Sequence, residues 1–115
     1  MRPILLVEDG VNYFDTLRWT LRRAGYMADA VCGGQEALDY LRAADPVGLV
    51  ILHCRRPDAA LLDRLKLLSQ APVVVVAGDG PAPGEADFFL GTPAAEEHLL
   101  AVARAFYQPR AAQAG

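Results

Sequence analysis

The sequence predicts an α/β domain built as a doubly wound parallel sheet of five strands, and three observations predict it. Apolar runs of strand length recur at residues 4–7, 49–52 and 73–76. They are continuous rather than alternating, which marks strands buried on both faces. Between them lie segments with apolar residues at helical spacing, so strand and helix alternate along the chain.

The elements follow in order. Ile4, Leu5, Leu6 and Val7 form the first central strand, and Phe14, Leu17 and Leu21 share one face of the helix after it. Residues 26–31 supply a weaker second strand. Ala37, Leu38 and Leu41 mark the second helix, residues 49–52 the third strand, and Leu61, Leu65 and Leu68 the third helix. Residues 73–76 form the fourth strand and residues 88–90 the fifth. Leu99, Val102, Ala103 and Phe106 face the core from a last helix, with Thr92 as its expected cap and Pro93 at its first position. Domain boundaries are expected at residues 1–107, with residues 108–115 a flexible tail or the start of a linker.

One connection breaks the alternation. Nine residues separate Ala77 from Asp87, with Gly78, Gly80, Pro81, Pro83 and Gly84 among them. A crossover that contains a helix needs at least ~10 to 12 residues, and glycine and proline at this density oppose a helix on their own account. The fourth helix of a complete doubly wound unit is therefore expected to be missing or reduced. Sheet between the fourth and fifth strands would then be less covered, leaving Val75 and Phe88 or Phe89 less covered than their neighbours, with the last helix contributing Leu99 or Phe106 to a partner surface there.

Composition narrows the function. The chain has 115 residues, 53% of them hydrophobic, which suits one core. Its formal net charge is -3 and no basic run occurs, so direct nucleic-acid binding by this domain is not expected. No segment has the length of a membrane span or the form of a signal peptide, so a cytoplasmic location and no membrane partner are expected. Cys32 and Cys54 are too few for a disulfide framework or a zinc site and read as reduced thiols.

Open α/β sheets bind ligands beyond the carboxyl ends of their strands, where strand order reverses. In the order 2-1-3-4-5 that point lies between the first and third strands. Glu8 and Asp9 follow the first strand and His53 follows the third, so two carboxylates and an imidazole are expected to converge. Asp9 alone is equally explained as a cap of the next helix. Gly10 stands alone, with no phosphate-cradling glycine loop, and no nucleophile has an activating partner, so no enzymatic activity is expected.

Five segments in order carry a resemblance to a known family. Ile4-Leu5-Leu6-Val7-Glu8-Asp9, Gly34-Gln35-Glu36-Ala37-Leu38, Leu49-Val50-Ile51-Leu52-His53-Cys54-Arg55-Arg56-Pro57-Asp58, Pro72-Val73-Val74-Val75-Val76-Ala77 and Leu90-Gly91-Thr92-Pro93 together resemble the receiver domain of bacterial response regulators. The resemblance implies a flavodoxin-like fold and a part in two-component signal transduction, in which an aspartate after the third strand takes a phosphoryl group and an acidic pair holds Mg²⁺. Here the acidic pair is Glu8 and Asp9, but the phosphoacceptor position is His53. The hydroxyl switch position is Ala77, the lysine position is Thr92, and the aromatic switch position is Phe89.

The departures point to a degenerate, pseudo-receiver type that cannot be phosphorylated and acts by protein contact, through a protein partner or a fused output domain. It is expected to be a monomer or an atypical dimer. His53, Arg55 and Arg56 could supply the positive charge that metal and phosphate supply elsewhere. No cofactor is expected, the alternative being a metal- or ligand-responsive sensor in which Glu8, Asp9 and His53 hold a divalent metal such as Mn²⁺ or Zn²⁺.

Overall fold

In a computed structural model, residues 2–8, 14–43, 46–56, 58–78, 86–91 and 94–108 are described. Their elements run β1 (Ile4–Glu8), α1 (Asp15–Arg23), β2 (Ala28–Cys32), α2 (Gly33–Ala43), β3 (Leu49–Cys54), α3 (Ala59–Leu68), β4 (Val73–Ala77), β5 (Phe88–Gly91) and α4 (Glu96–Phe106). All four strand pairings are parallel and the order is β2-β1-β3-β4-β5, as the sequence predicts. No helix occurs between β4 and β5 among the described residues.

The continuous apolar strands are buried on both faces. Alternation along them divides the core in two: Ile4, Leu6, Ile51, Val74 and Val76 meet Leu17 and Leu21 of α1 and Leu99, Val102 and Ala103 of α4. Leu5, Val7, Val50, Leu52, Val73 and Val75 meet Ala37 and Leu38 of α2 and Leu62 and Leu65 of α3. Each such aliphatic side chain contributes about 1.5–3 kcal/mol when fully buried.

Several expectations need correction. The buried face of α3 is Leu62 and Leu65, while Leu61 is half-buried and Leu68 is exposed. The cause is the start of the helix: the Asp58 carboxylate accepts hydrogen bonds from the Ala60 and Leu61 N–H groups and sets the helix rotation from that turn. β2 begins at Ala28, and Tyr26 instead sets its ring edge-on against Tyr107, with centroids 5.0 Å apart. α4 begins at Glu96 with Ala95 at its cap position and no side-chain cap bond, so residues 94 and 95 precede the helix. Thr92 and Pro93 lie outside the described residues. Two acids in the first turn, Glu96 and Glu97, complement the helix dipole, and Glu96 also accepts a hydrogen bond from Thr20 of α1.

Near β5 the expectation holds for Phe88, which is exposed, but not for Val75. Val75 is fully buried because α3 covers it with Leu62 and Leu65, and Leu99 is buried under α1. Phe88 is exposed but its ring lies 5.3 Å from that of Phe106, and Phe89 is half-buried against the α2/α3 side. Asp87 ties down the start of β5. Its N–H donates to the Val73 carbonyl at 2.9 Å, and its carboxylate accepts from the Val73 N–H at 2.7 Å and from Lys66 of α3.

The end of α4 packs at the amino ends of the central strands β1 and β3. The Tyr107 hydroxyl donates to the Arg2 carbonyl at 2.6 Å, and Gly48 donates to the Pro3 carbonyl while accepting from the Gln108 N–H. A Cβ on Gly48 would stand 2.5 Å from Tyr107 Cε1 and 2.7 Å from the Gln108 carbonyl oxygen. Because one of those atoms is backbone, the Gly48→Ala substitution is expected to destabilise the fold by about 1–3 kcal/mol. Urea denaturation checks this, with a midpoint equal to the parent's as the contrary result.

On the α2 side, the Tyr40 hydroxyl donates to Asp29 of β2 at 2.6 Å. Burial, and then the bond to Asp29, raise the Tyr40 phenol above its ordinary value. A phenol raised by folding stabilises fully below the unfolded value of ~10, and that stabilisation fades as pH climbs through the folded value. The Tyr40→Phe variant is therefore expected to be less stable at neutral pH yet to lose stability less steeply above pH ~10. Parallel stability curves for variant and parent between neutral and alkaline pH would reject this.

Candidate functional site

The carboxyl ends of β1 and β3 lie side by side, with Val7 opposite Leu52, so Glu8 and His53 follow at adjacent strand ends. Alternation sets both on the α1 side of the sheet, while Val7, Leu52 and Cys54 look toward α2 and α3. Glu8 is buried, the single buried charged side chain among the described residues. Its carboxylate accepts a hydrogen bond from the backbone N–H of Phe14, which fixes the chain where it enters α1.

His53 is half-buried, and the fully buried Phe14 ring stands edge-on to its imidazole, with centroids 5.8 Å apart and planes at 72°. Phe14 thus touches both Glu8 and His53, through its backbone and its ring. Asp9 and Thr92 lie outside the described residues. Ala77 ends β4 beside Cys54, is buried, and belongs to the core on the α2/α3 side. Phe89 pairs with Val75 one strand further out.

A cleft of about 560 Å³ opens at this edge, between the N-terminal ends of α2 and α3. Glu8 and His53 lie at one side of it. Gly33, Gly34 and Gln35 bring the first turn of α2 to it, and Asp58, Leu61 and Arg64 bring α3. Arg56 lines the cleft, whereas Arg55 is exposed and does not.

Glycine is required where α2 meets β2. Gly33 has φ +86°, a conformation that side chains rarely adopt, and it lets the helix begin directly at the strand's end. A Cβ on Gly34 would lie 2.9 Å from both methyls of Leu61, so this glycine sets how closely α2 and α3 approach. Sequence reasoning did not single out Gly33, Gly34, Gln35, Asp58, Leu61 or Arg64 as site residues. The Gly33-Gly34 pair between a strand and a helix was the available signal for the first two, and Arg64 carried none.

For the metal alternative, no group of three or more His, Cys, Asp or Glu among the described residues is arranged to hold an ion. Asp9, the remaining member of the candidate set, is outside them. No helix among the described residues is long and apolar enough to cross a membrane.

This architecture is that of the CheY-like receivers, a flavodoxin-like five-stranded fold. The receiver domain protein of Methanospirillum hungatei JF-1 superposes with a TM-score of 0.78 at 20% identity, covering 91% of this chain and 92% of that one. The receiver domain of Methylobacillus flagellatus gives 0.75 at 25% identity over 92% and 98%. A structure named as an adenylate cyclase from Rhodopirellula baltica gives 0.77 at 22% identity over 90% and 85%. No protein-family model matches the sequence, and no curated protein matches it.

The Glu8 contact has a measurable consequence. A leucine at position 8 removes the acceptor of the Phe14 N–H, whereas a glutamine retains a carbonyl oxygen there. Glu8→Leu is expected to cost about 1–3 kcal/mol, the loss typical of a buried donor deprived of its acceptor, and Glu8→Gln distinctly less. Equal losses in the two variants, measured by chemical denaturation, would contradict the role given to this bond.

Proposed function

We propose that this chain is a receiver-type signalling domain of the two-component kind that has given up phosphotransfer and acts through contact with a protein partner or a fused output domain. The observation that carries this reading is His53 at the carboxyl end of β3, beside Glu8, where the receiver resemblance implies an acceptor aspartate. A carboxylate that attacks phosphorus, expelling the donor's leaving group, forms an acyl phosphate; an imidazole has no carboxylate oxygen to form that linkage and would give an N–P bond instead.

The surroundings support the same reading. Ala77 offers no hydroxyl next to the position, and the sequence has threonine at 92, where receivers place a lysine. Phosphoryl transfer depends on positioning and on stabilising the charge of the transferred group, and hydroxyl and ammonium would serve that end. Glu8 is drawn instead into a structural hydrogen bond with Phe14. Control by protein contact needs none of these groups.

Incubation with acetyl phosphate and Mg²⁺ followed by intact-mass measurement tests the proposal. The expected result is no stable gain of a phosphoryl mass. A gain mapped to a residue at the carboxyl edge of the sheet would overturn it.

A further inference from the structure

We propose that the cleft between α2 and α3 is a binding site for a phosphomonoester, with the phosphate held by Arg56, Arg64 and the first N–H groups of α2 and the organic part lying against Leu61. This goes beyond the loss of phosphotransfer and does not depend on it, since it concerns non-covalent binding on the other side of the acidic position.

The argument begins with size and charge. A volume of about 560 Å³ lies within the range of small-molecule sites, ~300–1,000 Å³. Two guanidiniums and two carboxylates line it, but they are not equivalent. The Asp58 carboxylate is taken up as the cap of α3, and Glu8 is buried on the Phe14 N–H. Arg56 and Arg64 are exposed, and neither forms an ion pair with a described carboxylate. The cations are thus the charges left to an incoming ligand.

The beginning of α2 adds to them. No described side chain accepts from the N–H groups of Gly33, Gly34 or Gln35, and the Gln35 side chain turns along its own helix to donate to Asp39 at 3.0 Å. N–H groups at a helix start and the positive end of the helix dipole favour an anion. Without a side chain at Gly33 or Gly34, an anion can come close to the backbone.

Charge matching selects the anion. Two guanidiniums and a helix N-terminus suit a dianion, whereas a monocarboxylate would leave one guanidinium uncompensated. Each guanidinium can engage two phosphate oxygens at once. The half-buried Leu61 on the facing helix gives an ester group an apolar surface that inorganic phosphate cannot use.

Titration of the ¹⁵N-labelled full chain with phenyl phosphate, with inorganic phosphate and phenol run in parallel, tests the proposal. Phenyl phosphate is expected to shift the amide resonances of Gly33, Gly34 and Gln35, to bind more tightly than inorganic phosphate, and to weaken as salt is added. Arg56→Gln and Arg64→Gln are each expected to weaken binding about tenfold, as for the loss of a charge-assisted hydrogen bond. Arg104→Gln on α4 serves as the control and is expected to bind like the parent. Absence of shifts at the start of α2, tighter or equal binding of inorganic phosphate, or unchanged affinity in the Arg56→Gln, Arg64→Gln double variant would overturn the proposal. The mass measurement with acetyl phosphate is unaffected by either outcome, so the two readings fail separately.

Discussion

Burial of β1, β3 and β4 on both faces is the constraint from which the rest of the structure follows. Ile4 through Val7, Leu49 through Leu52 and Val73 through Ala77 are all nearly or wholly removed from water. A polar side chain within these runs would lose its hydration without a partner, at a cost of about 1–3 kcal/mol or more. Chemistry is therefore pushed to the strand ends, and Glu8 and His53 stand at the first positions where polarity is tolerated. Even there, Glu8 is buried and needs the Phe14 N–H.

The same burial separates the molecule into two hydrophobic clusters with the sheet between them. Phe14 belongs to the α1/α4 cluster yet touches His53, whose other neighbours include the α2/α3 cleft. His53 is thus a point at which the two sides meet. An aspartate in its place would be smaller and would not present a ring to Phe14. The replacement alters packing as well as reactivity, and the two changes have one cause.

The central strands and the short β4 to β5 connection were legible because each rests on a local property, continuous hydrophobicity in one case and glycine and proline density in the other. Glu8 and His53 were legible for a related reason: strand ends fix residue position once topology is known. Helix rotation was less legible. Leu61, Leu65 and Leu68 form as good a stripe as Leu62 and Leu65, and the choice between them depends on Asp58 and on the Gly34 contact, which is tertiary. The start of α4 was misplaced because Thr92 and Pro93 satisfy local capping preferences, whereas Glu96 gains a bond to Thr20 that only the folded chain supplies. The cleft was least legible, since it is made by the distance between two helices rather than by any motif.

α3 connects the parts of the site to the edge of the sheet. Its first turns carry Asp58, Leu61 and Arg64 to the cleft, and two residues beyond Arg64 the same helix places Lys66 on Asp87 at the start of β5. At this edge Asp87 bridges α3, β4 and β5 through Lys66 and the Val73 backbone. β5 has the least burial of the five strands, so these bonds and the Phe88 ring against Phe106 account for much of what holds it. α3 is one continuous helix of 10 residues. Its first turns reach the cleft and its later part reaches the Lys66 contact at the start of β5. The edge strand β5 and the cleft at β3, with β4 between them, are thus both in contact with the same helix.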